Sequence, residues 1–535
     1  MTLDPRLNAT SSTQPVDSSS VWDDPRADAA PPEGADGSND IGSANRSGPL
    51  DRMLQAVPLL DAAAIPIDGS GTNKGEGSTG ATPDGKPIEI SPLHVGTEAT
   101  VARELTRGDG YYTNDQLVFT TNGNGDDQVK VSQRDDGTVD VTVNGESYEV
   151  ALAQGQELTL RVGAGDDVVE VAPNMRVNIV VEGGEGNDDI RLQGGGNSRI
   201  DAGAGDDHVD LSGSTGRNDV FGDTGDDGIV GGDGADVLYG GDGNDAIDGG
   251  AGTNYLEGGA GDDQFDAGSG KNMVSGGLGG DSVVSGSSEG NSIYLGAGDD
   301  TVDGVTGDDK VYAEAVDAVN FAAGQSDAGQ VVVNVEIDPA LGSSITIEGS
   351  DSFRQRVEAD LEFLRNSPVG QKMLAAIDGA DPGLRVPGRE HTVVIRELAR
   401  EENGYASPAV DGVTWGDVQI SNGQPGQGTQ TYMNYNPSFS MDEFPAPIVV
   451  LQHELAHDYN FASGTMQPGT YVGEGPDSGR VPNSERQAVG LETSAPAYDF
   501  DGDPATAPTT TNPEWLTENG IRRELGLPDR PNYTL

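Results

Sequence analysis

Between about residues 213 and 284 an apolar side chain returns every ninth position, as Ile229, Leu238, Ile247, Leu256, Phe265, Val274 and Val283. The intervening positions are constrained too, in the pattern Gly-Gly-x-Gly-x-Asp-x-apolar-x. It is cleanest at Gly231, Gly232, Gly234, Asp236, Leu238 and again at Gly240, Gly241, Gly243, Asp245, Ile247. Glycines allow the positive φ of tight turns, Asp sets a carboxylate at each turn, and the lone apolar residue points into a narrow core. Each nonamer is half a coil, so the apolar residues should stack in two inward rows of a parallel β-roll. Eight nonamers run in phase from Gly213 through Val284. Looser copies precede them near Asp127, Asp167, Asp188 and Asp207, and two follow with Asp300 and Asp309.

The flanks read differently. Residues 1–95 are rich in Ser, Thr, Pro, Gly, Asp and Ala, too poor in apolar side chains to offset chain entropy, and are expected to be disordered. One apolar patch, Met53, Leu54, Val57, Leu59 and Leu60, contains the helix-breaking Pro58 and reads as linker. Over 96–160 strands alternate, as at Leu117–Phe119 and at Val139, Val141 and Val143, the latter followed by the hairpin pair Asn144-Gly145. This is a β-strand cap region ahead of a roll over 161–315. After the repeats stop, Val331, Val332, Val333 and Val335 lead towards Ile345 and Ile347, where a new domain over 336–535 begins. Phe353, Val357, Leu361 and Leu364 have helical spacing up to Pro368, and Met373, Leu374 and Ile377 make a second helix. Strands are expected at Val393–Ile395 and Tyr432–Tyr435, so this domain is α+β.

Charge narrows the partners. The 535 residues hold 90 Asp plus Glu against 30 Lys plus Arg, a formal charge of -60. That repels phosphate backbones and anionic lipid, which excludes nucleic acid and membrane insertion. It also calls for counter-charge, and divalent cations held by carboxylates supply it economically. Calcium is the expected ion, with Asp188, Asp207, Asp227, Asp236, Asp245, Asp263, Asp281, Asp300 and Asp309 as its candidate ligands. There is no cysteine, so any transition-metal site must use His and carboxylate. The N-terminus lacks the basic start and apolar run of a cleaved secretory signal peptide, and no long apolar span occurs.

The nonamers resemble the RTX calcium-binding repeats of exported bacterial proteins. Within them the sixth position alternates: Asp227, Asp245, Asp263 and Asp281 on one side, Asn218, Asp236, Asn254 and Asn272 on the other. Amide oxygens are weaker cation ligands than carboxylates, so the roll is expected to be asymmetric, well filled on the first side and sparse on the second.

Two of the chain's five His stand in Pro447-Ile448-Val449-Val450-Leu451-Gln452-His453-Glu454-Leu455-Ala456-His457, a His-Glu-x-x-His pattern. Pro447 suits a helix start, and residues four apart share a helix face, so both imidazoles can reach one zinc ion while Glu454 serves as general base. The bland reading is a surface helix that happens to carry two His and a Glu. No His follows His457, so the third ligand is a carboxylate or comes from upstream. Glu474, Asp477, Glu485 and Glu492 are the near candidates. Glu485 is favoured because Asn483 and Ser484 can cap a helix presenting it in the first turn.

Around that motif lie Val357-Glu358-Ala359-Asp360-Leu361, Ser367-Pro368-Val369-Gly370, Asn434-Tyr435-Asn436-Pro437, Glu485 to Gly490, and Glu518 through Pro528. In that order the segment from about Arg354 to Leu535 resembles the zinc metallopeptidases typified by the type III effector NleD. The resemblance implies a gluzincin-like ligand set of His453, His457 and a downstream Glu, in support of Glu485. Arg530-Pro531-Asn532-Tyr533 is similar to the Arg-x-x-Tyr element of clostridial neurotoxin light chains. By that likeness Arg530 and Tyr533 face the scissile carbonyl, and Glu518 braces the site from behind. The alternative is that Arg530 and Tyr533 only fasten the C-terminus.

The reading is a multidomain secreted bacterial zinc endopeptidase: disordered N-terminus, RTX-like β-roll, then an α+β zincin-like domain. By resemblance its substrates are host proteins such as signalling kinases, whereas oligomeric state is not encoded legibly. The competing class is a calcium-binding adhesin or matrix protein with a degenerate zincin domain. Location pulls two ways: the Ser-rich N-terminus and NleD-like module point to type III delivery into a host cell, while RTX repeats commonly accompany type I export.

Overall fold

The computed structural model describes residues 65–68, 78–82, 85–107, 113–286, 289–326, 331–398, 404–439, 446–502 and 505–534. Most of the segment expected to be disordered, including the patch from Met53 to Leu60, lies outside the described residues. Its end does not fit that expectation, since Ile65–Asp68, Ser78–Ala81 and Pro87–Val95 are strands. The last of these alternates Ile88 and Ile90 with polar residues and pairs antiparallel with Ala99–Arg107, which gives a short polar-looking stretch a sheet to join.

Among the described residues two long sheets of 13 and 14 strands face each other. They begin with antiparallel hairpins, including Val139–Val143 with Glu146–Ala151, turned by Asn144 and Gly145 at φ 48° and 90°. From Glu157–Ala164 onward the strands are parallel, and the chain passes from one sheet to the other at every turn. Leu238 pairs with Leu256 and Leu256 with Val274, while Ile229 pairs with Ile247, Ile247 with Phe265 and Phe265 with Val283. These are the two inward rows, all buried. The roll runs past the expected limit at 315: Ala318–Phe321 extends one sheet and Val332–Asn334 the other. The valines expected to lead into the next domain thus cap the last coil, covering backbone that would otherwise be an open edge.

The C-terminal domain centres on a four-stranded sheet in the order Ile345–Glu348, Val393–Glu397, Thr431–Tyr435, Tyr405–Pro408. The first three strands are parallel and the last antiparallel. Thr431–Tyr435 is paired on both sides, and the outer strand is Tyr405–Pro408. Helices α1 (Asp351–Asn366) and α2 (Pro368–Gly379) are separated by Ser367, which ends α1 through its N–H and caps α2 by accepting from Gly370 N, with Pro368 in the first turn. Helix α3 (Pro447–Ser463) starts at a proline, is buried on almost every face, and stops at Gly464 in the left-handed region, φ 70°. Two short helices follow, α4 (Asn483–Val489) and α5 (Glu518–Glu524).

The outward residues of one roll sheet are not solvated. Phe221, Val237, Tyr239, Tyr255, Met273, Tyr294 and Tyr312 are buried in the same core as Phe353, Val357, Leu361 and Phe363 of α1. Polar contacts fix the register of this seam. Arg356 donates to Asp219 at 2.7 Å and lies 4.4 Å from the Tyr239 ring centre. The Tyr239 and Tyr255 hydroxyls donate to Asp360 Oδ1 at 2.8 and 3.2 Å, and the Tyr294 hydroxyl donates to Glu524 at the end of α5 at 3.1 Å.

Candidate functional site

Helix α3 carries His453, Glu454 and His457, all buried, with the two His on one face as their spacing requires. Helix α4 sets Glu485 against them. Glu485 Oε2 lies 3.1 Å from His457 Nε2 and 3.5 Å from His453 Nε2, and the two Nε2 atoms are 3.2 Å apart. The three ligand atoms fall within 4.8 Å of one another. Asn483 and Ser484 do not cap α4, because the helix begins at Asn483 itself and has no side-chain cap. Asn483 instead donates to the Pro468 carbonyl and accepts from Ser494 N, while the Gln487 amide donates to Asn460, Thr465 and Asn512. The helix that presents Glu485 is therefore anchored from both ends by loops.

Glu518 stands in the first turn of α5, whose cap is Thr517, and its Oε2 lies 3.1 Å from His453 Nδ1. That contact directs Nε2 at the centre. Arg530 and Arg522 flank Glu518 at 3.1 and 3.4 Å. Burial opposes ionisation of both glutamates, but the charges beside them prevail: His457 and His453 hold Glu485 well below the usual carboxylate range, and Arg530 and His453 hold Glu518 down. Burial likewise opposes a charged His453, yet hydrogen bonds with Glu485 and Glu518 raise it to about 9. Two imidazole nitrogens and an ionised carboxylate converge in a buried site, with one ring oriented from behind by a second carboxylate. This donor set fits a tetrahedral divalent ion such as zinc.

The other near candidates lie elsewhere. Glu474 and Glu492 are exposed. Asp477 is buried, pairs with Arg486, and accepts from Tyr533 N at 2.8 Å, Thr534 N at 2.9 Å and the Thr534 hydroxyl at 2.7 Å. It pins the C-terminal tail. On that tail Tyr533 is buried, its ring centre 6.3 Å from that of His453, and burial together with the nearby Glu485 charge holds its hydroxyl well above the ordinary tyrosine range. Arg530 donates to Glu518 and to the Tyr533 carbonyl, with its guanidinium 4.7 Å from the Tyr533 ring centre.

The turns of the roll form a second set of carboxylates. Along one edge, Asp127, Asp167, Asp188, Asp207, Asp227, Asp245, Asp263 and Asp281 each donate a backbone N–H to Oδ1 of the next member, the last to Asp300, at 2.6 to 2.9 Å. Burial pushes Asp227 and Asp263 up to about 8 and Asp167, Asp188, Asp281 and Asp300 up to about 7. Asp236 and Asp309 stand on the opposite edge, among Asn218, Asn254, Asn272 and Asn291.

Residues 342–533 match the family model peptidase M91, described as an effector protein. By that match the C-terminal domain, called the M91 domain below, is similar to the peptidase M91 effector family. Residues 212–247, 248–283 and 280–311 match the model of the RTX calcium-binding nonapeptide repeat. No curated protein and no solved structure matches the chain. Among the described residues no helix is long and apolar enough to cross a membrane.

The M91 domain also uses residues to which the sequence assigned no role. Tyr435 donates to Asp360 Oδ2 at 2.9 Å and lies 3.2 Å from the carbonyl of Pro447, the first residue of α3. Asp360 thereby links the tyrosines of the roll to the start of the His-bearing helix. Both residues fall inside pieces that carried the resemblance, Val357 to Leu361 and Asn434 to Pro437, so their signal was present without its meaning. Gly404, ahead of the outer strand, packs so closely on Glu454 that a side chain there would press on its Cγ at 3.0 Å.

Proposed function

We propose that the chain is a secreted zinc-dependent endopeptidase that cuts proteins of a host cell, carried by a calcium-held β-roll. The observation that bears most weight is the buried convergence of His453, His457 and Glu485 within 4.8 Å. Zinc held there supplies the Lewis acid that peptide hydrolysis needs. Glu454, one residue after His453, takes the proton of the attacking water and returns it to the leaving amine. Tyr533 donates to the oxyanion that develops on the peptide carbonyl. Arg530 fixes Glu518 and the tail backbone around it, and Glu518 keeps the His453 tautomer. An extended substrate segment adds to the outer strand Tyr405–Pro408, where Gly404 keeps the approach to Glu454 open. The M91 match supports proteins as the substrate class, and the Ser-rich N-terminal region favours type III delivery.

The test is zinc per full-length chain, with cleavage of a proteome-derived peptide library, for wild type, His457→Ala and Glu454→Gln. Near one zinc per chain, lost in His457→Ala and kept without cleavage in Glu454→Gln, is the expected outcome. Absence of zinc from wild type, or undiminished cleavage by Glu454→Gln, refutes it.

A further inference from the structure

The two edges of the roll share one backbone pattern but differ at a single atom. On the first edge, the Oδ2 atoms of Asp127, Asp167, Asp188, Asp207, Asp227, Asp245, Asp263, Asp281 and Asp300 are buried and accept no hydrogen bond. Each of these side chains belongs to a residue less than a tenth exposed. A carboxylate oxygen held away from water without a donor is destabilising unless a cation meets it. The geometry around it is a cradle: a methyl group on Gly222 would overlap both Asp227 Oδ2 and the Gly240 carbonyl oxygen. The same holds at Gly240 for Asp245 and Gly258, at Gly258 for Asp263 and Gly276, and at Gly276 for Asp281 and Leu295. Carboxylate and carbonyl oxygens from successive coils thus crowd onto one small space, the oxygen-rich surrounding that calcium takes.

On the second edge the equivalent atom is an amide nitrogen, and it is already engaged. Asn254 Nδ2 donates to the Gly249 carbonyl, Asn272 Nδ2 to that of Ala267 and Asn291 Nδ2 to that of Ser285, each at 2.7 Å. The two carboxylates there are also satisfied. Asp236 Oδ2 accepts from Gly232 N at 2.8 Å, and Asp309 Oδ2 accepts from Thr306 N at 2.7 Å and the Ser285 hydroxyl at 3.0 Å. An N–H pointing at a carbonyl does the electrostatic work of a cation, and it leaves no anionic oxygen to receive one.

We propose that the roll binds calcium in single file along one edge, from Asp127 to Asp300, and that the opposite edge is closed to ions by its own amides. Two consequences depart from the repeat pattern. Sites extend upstream of residue 212, where the match to the repeat model begins, through coils of 19 to 21 residues instead of 18 and a first step of 40 residues from Asp127 to Asp167. Asp236 and Asp309, although aspartates at the repeat position, bind no ion.

Calcium bound per full-length chain, measured by equilibrium dialysis with radioactive calcium, separates these possibilities without reference to proteolysis. Asp207→Asn is expected to bind fewer ions than wild type, and Asn272→Asp to bind more, since it creates an oxygen without a donor beside the Ala267 carbonyl. An unchanged count in either variant overturns the proposal. Should Asp207→Asn fail to fold, anomalous scattering from wild-type crystals grown in calcium decides: peaks confined to the Asp127–Asp300 edge are expected, and peaks of equal height along the Asn edge refute it.

Discussion

Replacing Arg356 by Met tests whether the roll and the M91 domain form one structural unit. The guanidinium is buried, donates to both Asp219 oxygens at 2.7 and 3.4 Å, and also reaches Ser438 Oγ at 2.8 Å and the Pro437 carbonyl at 3.2 Å. Methionine keeps much of the volume over Tyr239 but strands Asp219 without its cation. Removing one partner of a buried ion pair costs about 3 to 5 kcal/mol, which at about 1.4 kcal/mol per decade shifts the docked-to-undocked ratio by about two to four orders of magnitude. Chain-wide melting is unsuitable for a multidomain protein, so the readout is hydrogen exchange of the α1 amides in the calcium-loaded chain. Protection of Asp351–Asn366 should fall by at least about a hundredfold. Asp219→Asn alone should act in the same direction, and the double variant should cost less than the sum, with a coupling of about 1 to 3 kcal/mol. Additive effects, or α1 protection unchanged by Arg356→Met, would refute the seam as drawn.

Three further outcomes follow from the same contacts. Withdrawing calcium with zinc held constant should raise exchange throughout α1 before it affects α3; simultaneous loss in both helices would mean that the M91 domain does not rest on the roll as a separate step. Asp477→Ala should leave zinc content intact and lower turnover by about a hundredfold, because the tail bearing Tyr533 loses its anchor; parallel loss of zinc would instead assign Asp477 to metal binding. Burial drives the Asp360 carboxyl up to about 6 against the tyrosine hydroxyls that favour its ionised form, with Arg356 and Glu257 beside it. A folded-state value above the free one makes its contribution complete below about 3.9 and lost as pH rises through about 6. Wild type should therefore lose stability relative to Asp360→Asn across that window, and parallel pH profiles would disprove it.

Much of this was legible because the repeat states its own geometry. The nine-residue period placed the inward rows, and His-Glu-x-x-His with helical spacing placed two of the three converging groups. Glu485 was reached by elimination, by resemblance and by a capping argument that the helix does not bear out, since its position depends on loops between Asn460 and Asn512 that Asn483 and Gln487 tie together. The roll boundaries were missed for a simple reason: Ile88, Ile90 and Val332 belong to strands that complete sheets without repeating the motif. The seam was missed for another. Phe221, Tyr239, Tyr255, Tyr294 and Tyr312 sit at positions the repeat leaves open, and only their confinement to one sheet marks that face as covered. The other sheet carries Asp248, Gln264, Asp266 and Ser282 at comparable places. Asymmetry in the unspecified positions was the readable clue.

The aromatic row also limits how the roll can change in length. Coils ahead of Asn218 contribute little to the seam, so inserting or deleting a whole coil there would lengthen or shorten the ladder and leave the M91 domain seated. Between Phe221 and Tyr312 the same event would move every later ring by one strand spacing, about 4.8 Å, relative to Asp360, Phe363 and Glu524. Repeat-number variation among natural relatives should therefore accumulate on the N-terminal side of this footprint. Within it, the number of coils should be as fixed as the fold of the peptidase itself.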